Sequence, residues 1–206
     1  YDELVLSGGC ALNVSANGKI MQKSIFKNIT LPPAPHDAGC SVGSVLSYLK
    51  DNNFKIDYES IRNPYLGTEF TNDDIEKIFQ KMNLTIPTFY NDIELIDKTA
   101  RVIANKGIVA WFQGRSEFGP RALGSRSFLA DPRNDSIREE INKKIKKREL
   151  FRPFAPSILF EFQNDYFDLS KCSPYMNIVS NVKKTKKTMI PAVVHTDNTS
   201  RVHSVI

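Results

Sequence analysis

Cysteine is scarce in this chain. Cys10, Cys40 and Cys172 are the only three. The number is odd, and no two stand at metal-ligand spacing. That argues against a disulfide framework and against a cysteine-held metal, and it leads us to expect reduced, buried thiols in a cytoplasm. Long apolar runs are missing too: nothing approaches the roughly 20 residues that a membrane span needs. The chain shows no targeting segment and no initiator methionine. Its start, Tyr1-Asp2-Glu3-Leu4-Val5-Leu6-Ser7-Gly8-Gly9, reads as the inside of a domain. Internal repeats and low-complexity tracts are absent. Over most of its length the chain also lacks net charge. The total is 28 Lys+Arg against 23 Asp+Glu, and residues 114–152 hold 11 of the bases and 6 of the acids, leaving 17 of each elsewhere.

The excess of +5 therefore sits in one stretch. That stretch opens with Gln113-Gly114-Arg115-Ser116-Glu117-Phe118-Gly119-Pro120-Arg121-Ala122-Leu123-Gly124-Ser125-Arg126. An apolar run, Ile108–Phe112, precedes it and is expected to be a buried strand. Glycines let the backbone turn sharply and come close to a ligand. Guanidinium forks match phosphate and carboxylate oxygens two at a time. A glycine-punctuated loop with three arginines at a strand end thus points to an anion site, and phosphate is the natural occupant. The bland alternative, a solvated basic face, suits Lys143–Arg148 better than Arg115, Arg121 and Arg152, which stand among Gly, Pro and Phe.

The first part of the chain carries a strand over Glu3–Ser7, a Gly8-Gly9 turn and a helix over about Cys10–Met21. Backbone N–H groups at such a turn, with the helix dipole behind them, suit an anion. The Gly-Gly pair is equally common as a plain turn. A proline-stiffened loop, Leu31–Cys40, then presents His36 and Asp37 at a helix start. Val42, Val45, Leu46 and Leu49 recur on one face of that helix, which predicts burial there. Asp37 fits a helix cap, or else a ligand to a metal beside the glycine turn. Residues 51–70 look irregular. Thr71 or Asn72 is expected to cap a helix with Ile75, Ile78, Phe79 and Met82 on one face. Pro87 ends the pattern. Asp92 is expected to cap another helix with Ile93, Ile96, Ala100 and Ile103 inward, ending at Lys106-Gly107. A domain boundary is placed near Pro87–Asp92.

After the arginine loop, Asn134 or Asp135 is expected to cap a helix with Ile137, Ile141 and Ile145 inward. This helix carries Lys146, Lys147 and Arg148 back toward Arg152. Phe151-Arg152-Pro153-Phe154-Ala155-Pro156 leads to a strand ending at Leu159. Met189–His195 is expected to be a further apolar strand. It runs into the polar turn His195-Thr196-Asp197-Asn198-Thr199-Ser200-Arg201, where His195 and Arg201 could equally be ordinary surface residues.

Five segments, in order, carry a resemblance: Ser7–Asn13, Pro33–Gly39, Gln113–Gly124, Phe151–Pro156 and His195–Arg201. Together they resemble the carbamoyltransferases of the nodulation-protein and antibiotic-biosynthesis type (NodU/CmcH/TobZ-like), and the likeness extends over essentially the whole chain. It implies an α/β fold of two modules. Residues 1–90 would be the C-terminal part of an actin/hexokinase-like (ASKHA) carbamoyl-transfer domain. Residues 91–206 would be a YrdC-like domain that forms carbamoyl adenylate, with the family pattern continuing beyond residue 206. The implied chemistry is carbamoyl adenylate formation from carbamoyl phosphate and ATP, followed by transfer to a hydroxyl of a small-molecule acceptor such as a sugar or natural product.

Carried over position by position, the resemblance implies roles for particular residues. Arg121, Lys146, Arg152 and Arg201 would meet carbamoyl phosphate and the ATP phosphates, with Lys146, Lys147 and Arg148 interchangeable at this level. Gly8, Gly9, Asn13, Arg115 and His195 would contact nucleotide. Asp37 would bind a divalent metal, Fe or Mg. The family's His-x-x-x-His pair has no counterpart among His36, His195 and His203. The chain is therefore expected to be a C-terminal-side fragment that does not complete transfer alone. A membrane partner is not expected, nucleic acid is disfavoured, and a homodimer is compatible with the pattern. The alternative reading is a YrdC-like nucleotide- or RNA-binding module without transferase activity. Against RNA, Phe118, Phe128, Phe151 and Phe154 sit in apolar or proline contexts, more like core than a stacking platform.

Overall fold

The computed structural model describes residues 1–85 and 90–206; the expected break at Pro87 lies outside them. Strand β1 (Glu3–Val5) pairs in parallel with β2 (Asn28–Thr30) across helix α1 (Val14–Lys23). The expected helix from Cys10 is in fact two elements. A 3₁₀ turn covers Gly9–Leu12, and α1 begins after Asn13, whose side chain accepts from Ala16 N at 3.0 Å. That cap satisfies an otherwise orphaned amide.

Helix α1 is fastened to the far end of the chain. Asn17 is buried and donates from Nδ2 to Ala11 O (2.8 Å) and to Asn177 O (2.9 Å). A side chain on Gly18 would collide with the Val179 carbonyl, so only glycine fits where α1 crosses β6 (Val179–Asn181). Further ties cross the expected boundary. Asn177 Nδ2 donates to Pro32 O (3.1 Å), Tyr65 Oη to Leu123 O (2.9 Å) and Tyr175 Oη to Arg62 O (2.6 Å).

Four helices occupy residues 39–104: α2 (Gly39–Asp51), α3 (Tyr58–Arg62), α4 (Asn72–Lys81) and α5 (Asp92–Ala104). Their starts follow capping chemistry. Asp57 accepts from Glu59 N and Ser60 N, and the pairs Thr71/Asp74 and Asn91/Glu94 each form a reciprocal capping box. Asn91, not Asp92, therefore caps α5, and α3 adds order to a stretch expected to be irregular. The predicted burial of these helices is not observed. Helices α2, α4 and α5 contain no buried residue, and Ile93 and Ile96 are 81% and 61% exposed. Apolar spacing alone predicts a buried face only when a partner covers it. Asp37 does not cap α2 either. The cap position is Ala38, and Asp37 contributes only its carbonyl, to Cys40 N at 3.0 Å.

Strands β3 (Val109–Phe112) and β4 (Arg126–Leu129) form an antiparallel hairpin. The expected buried strand at 108–112 is half-exposed, since it has one neighbour and Phe112 faces outward. Helix α6 (Ile137–Glu140) continues into a π-helical turn over Ile141–Lys146. Its cap position is Ser136, without a side-chain bond, and not Asn134 or Asp135. Then come β5 (Ser157–Leu159), α7 (Phe160–Tyr166), β7 (Thr199–Arg201) and β8 (His203–Val205). β5 pairs in parallel with β8, and β6 antiparallel with β7. Met189–His195 is not a strand. Pro191 has no N–H to give a ladder, and Pro191–Val193 forms a 3₁₀ turn that sets Ala192 N on Pro132 O.

The main core is Phe167, Leu169, Ile178, Val182, Ile190, Val193 and Val202. Met21 and Leu31 from the first part pack against it, so the two halves of the chain share one core. A satellite of Ile137, Ile141 and Ala192 sits under Ile108 and Ile145. The fold is mixed α/β, with short two-stranded sheets. Among the described residues no helix is long and apolar enough to cross a membrane. Cys10 and Cys40 are exposed and Cys172 is half-buried, so the expected burial of the thiols does not hold.

Candidate functional site

The arginine loop is the turn of the β3–β4 hairpin, and an acid closes it. Glu117 Oε1 accepts from three backbone amides: Leu123 N at 2.7 Å, Ser125 N at 2.8 Å and Arg126 N at 3.2 Å. Burial pushes this carboxyl up, but the amides together outweigh it and hold its pKa below the usual glutamate value. Arg126 locks the loop from the other side. Nη1 donates to Gln113 O (2.8 Å) and Ser125 O (3.0 Å), and Nη2 to Gly114 O (2.9 Å) and Thr68 O (3.3 Å). Its guanidinium lies 3.5 Å from the Phe112 ring centre. Gly119 has φ +119°, and a Cβ there would stand 2.7 Å from Pro33 O, so glycine lets the loop touch the proline loop.

Held in this way, the loop turns Arg121 inward. Its Nη2 reaches Leu12 O at 3.4 Å, and its Nε is buried without a partner. Arg201 lies alongside. Burial, then the charges of Arg121 and Arg148, lower its pKa to about 10. Arg148 is in turn depressed by burial and by Arg152, while Glu149 opposes this. Its Nε donates to Asn142 Oδ1 at 2.7 Å, and its guanidinium stacks 5.0 Å from Phe154. Arg138 and Arg201 both bear on His195, whose pKa is lowered first by burial and then by those two cations, against Asp197. Among the described residues, eight buried side-chain polar atoms lack a hydrogen-bond partner. Four of them belong here: Arg121 Nε, Arg138 Nε, Arg201 Nε and His195 Nε2. Like charges gathered in partial burial, with donors left open, are an arrangement that an anion relieves.

The structure thus brings Arg121, Arg201 and His195 together, with Arg152 at the edge. Arg152 is exposed and 3.9 Å from Glu149. Lys146 is placed elsewhere, over the Phe128 ring at 4.8 Å. Of the three contiguous bases, Arg148 is the one beside Arg201. The cause is the π turn: Lys147 takes a left-handed φ of 46°, and Arg148 N closes on Asn142 O at 3.1 Å. Arg115 faces outward to Glu69 at 3.5 Å. Gly8 N–H is taken up by Pro35 O at 2.6 Å, and Asn13 is the cap of α1, so both have structural partners in this state. Gly9 opens the 3₁₀ turn, with free space where a side chain would stand. The expected core phenylalanines divide: Phe118 and Phe154 are half-buried, whereas Phe128 and Phe151 are exposed.

A metal does not fit the described residues. Asp37 is exposed, and no three His, Cys, Asp or Glu side chains gather among them. His36 Nδ1, next to Asp37, is buried and unpartnered, but two neighbouring residues do not enclose an ion.

Three residues escaped the sequence reading. Glu117 is an acid inside a basic loop, a sign mismatch that could have drawn notice. Arg138 was only one base among many. Asn142 is wholly buried inside a lysine-rich helix, where a polar residue with no cap role is itself the signal. Its Nδ2 donates to Leu150 O (3.1 Å) and Arg152 O (2.8 Å) while its Oδ1 orients Arg148. Asn142→Ala is expected to cost about 3 kcal/mol in urea unfolding, because it strands several buried polar groups. It should also release Arg148 and weaken phosphate binding. Unchanged unfolding would show that Asn142 is not the tie.

Comparison with known proteins gives the family. The family model described as the carbamoyltransferase C-terminus matches residues 100–206, which include the arginine loop, the π turn and the 195–201 turn. The chain belongs to the carbamoyltransferase family. The model of the carbamoyltransferase N-terminus matches residues 1–46. Among similar proteins, nodulation protein NolNO of Sinorhizobium fredii is 39% identical over 98% of this carbamoyltransferase chain and 30% of its own length. Nodulation protein NolO of Bradyrhizobium diazoefficiens is 38% identical over 98% of the chain and 37% of its own length. The uncharacterized Synechocystis protein sll1178 is 40% identical over 99% and 37%. The chain spans about a third of the length of these curated relatives.

Proposed function

We propose that this chain supplies the carbamoyl-phosphate and ATP site of an O-carbamoyltransferase. The single observation that carries the reading is the half-buried cluster of Arg121, Arg148 and Arg201, in which Arg121 Nε and Arg201 Nε are open and, among the described residues, none of the three is paired with an acid. In this reading residues 91–206 are the YrdC-like part that forms carbamoyl adenylate. Residues 1–90 are part of an ASKHA-like transfer domain. The carbamoyltransferase N-terminus and C-terminus models match residues 1–46 and 100–206, which is compatible with two parts and leaves residues 47–99 unassigned. In this reading the protein works in the cytoplasm.

The atom balance defines what the arginines must hold. Carbamoyl adenylate retains the carbamoyl group and the α-phosphate of ATP. One water is consumed, the phosphoryl group of carbamoyl phosphate leaves as phosphate, and the β- and γ-phosphates leave as pyrophosphate. Charge builds on the departing oxygens, and fixed guanidinium forks lower the barrier by stabilising it without reorganising. Arg121 and Arg201 take the buried phosphoryl oxygens. Arg148, steered by Asn142, and Arg152 at the rim take the longer polyphosphate. The adenylate then gives its carbamoyl group to a hydroxyl of a small acceptor.

The test is isotope exchange of pyrophosphate into ATP. Exchange that depends on carbamoyl phosphate, and that falls with Arg121→Ala, is the expected result. Binding that instead tracks nucleic-acid length and salt would replace this reading.

A further inference from the structure

His195 Nε2 is a buried acceptor with nothing to accept. The ring is fixed at its base: His195 N donates to Thr199 O at 2.8 Å, and Asn198 N donates to His195 O at 2.9 Å. Its Nδ1 lies 3.2 Å from Thr199 Oγ1. That hydroxyl has one proton, and Asp197 Oδ1, 2.6 Å away, can only accept it. The proton on Thr199 therefore points to Asp197, and Nδ1 must carry a hydrogen and donate to Thr199. Nε2 is left with its lone pair, wholly buried and unpartnered among the described residues. A second proton there would place a cation beside Arg138 and Arg201, and those charges together with burial keep the ring neutral.

The cations around it are pure donors. A fully deprotonated phosphoryl group, which only accepts, would satisfy the arginines and leave Nε2 unpaired. A ligand with an N–H beside its phosphate satisfies both. We infer that His195 Nε2 accepts an N–H from the carbamoyl amide and so selects carbamoyl phosphate over acyl phosphates that lack one. The nitrogen of carbamoyl phosphate is joined to phosphorus through one carbon and one oxygen, so one small molecule carries phosphoryl oxygens and an N–H close together, as suits an imidazole that feels the charge of Arg201. The adenine amino group lies at the far end of the nucleoside from the phosphates. This inference rests on the function proposed above.

Acetyl phosphate is the probe, because it has a methyl group where carbamoyl phosphate has NH₂. Calorimetric titration of the chain should show carbamoyl phosphate binding about tenfold or more tighter than acetyl phosphate, the penalty for an unmet buried acceptor. In His195→Leu the preference should fall to within about twofold through loss of carbamoyl phosphate affinity alone. His195→Gln, whose amide oxygen can accept, should recover part of it. Thr199→Val should also reduce it, by freeing the ring to take the other tautomer. A preference that survives in His195→Leu overturns the inference. So does a loss of discrimination between ATP and ITP with the carbamoyl preference intact, since Nε2 would then read the adenine. A parent chain that binds neither acyl phosphate defeats the proposed function itself, and this inference with it.

Discussion

Arg201→Met is expected to abolish tight carbamoyl phosphate binding while leaving the fold as stable as before, or more so. A charge-assisted hydrogen bond contributes roughly 1.5–3 kcal/mol, and about 1.4 kcal/mol is a tenfold change in affinity. Loss of the fork should therefore weaken binding about 10- to 100-fold. The stability effect has the opposite sign. Arg201 has its pKa lowered to about 10 by burial and by the charges of Arg121 and Arg148. A depressed arginine is one whose charge the folded state resists, so removing it relieves repulsion. Methionine keeps most of the apolar stem. Thermal melting with and without carbamoyl phosphate reads both effects. A sharp fall in melting temperature, with ligand binding retained, would make Arg201 a structural tie. Arg121→Lys should behave as a partial loss, since an ammonium cannot reproduce the fork.

Glu117→Ala should damage both the loop and the site. One carboxylate oxygen holds three amides of the 123–126 segment, and no other group in the loop can replace it. Discounted for solvent screening at a half-buried carboxylate, the expected loss is about 2–4 kcal/mol in unfolding free energy. Arg121 loses its support, so ligand binding should fall with it. The pH dependence follows from the direction of the shift. The Glu117 carboxyl ionises at lower pH folded than unfolded. Its contribution is therefore complete above the unfolded value of about 4.3 and disappears as pH falls through the folded one. Comparing the parent with Glu117→Ala from pH 7 down to pH 3 should show the two stabilities converging. A gap that stays constant across that range would rule out the ionised nest.

Much of the site was legible in the sequence because its signals are local. Glycines among arginines marked the hairpin loop, while Arg201 stood in a polar turn where an ordinary surface residue fitted equally well. Thr71 caps α4 over three residues, so its chemistry follows from spacing, whereas the Asp57 cap of α3 lay in a stretch expected to be irregular. What escaped depends on contacts far apart in the chain. Asn17, bonded to Asn177, gives no hint of its partner in either neighbourhood. The choice of Arg148 over Lys146 turns on a π bulge. An apolar i, i+4, i+8 pattern cannot foretell that bulge, because the same isoleucines stay inward in either winding. The apolar faces of α2 and α5 carry helical periodicity but are not fully covered among the described residues, with Val42, Leu46 and Leu49 only half-buried, so a correct period led to too strong an expectation of burial. The strand expected at Met189–His195 failed on Pro191, a residue whose missing N–H argued against a ladder from the outset.

The most direct test of the central claim is a crystal structure of the chain with carbamoyl phosphate bound. The account predicts the phosphoryl group within hydrogen-bonding distance of Arg121 and Arg201, with Arg148 turned toward it and Lys146 still over Phe128. A phosphoryl group bound instead at the Gly8-Gly9 turn, or against Lys146 with the Arg121–Arg201 cluster untouched, would contradict it.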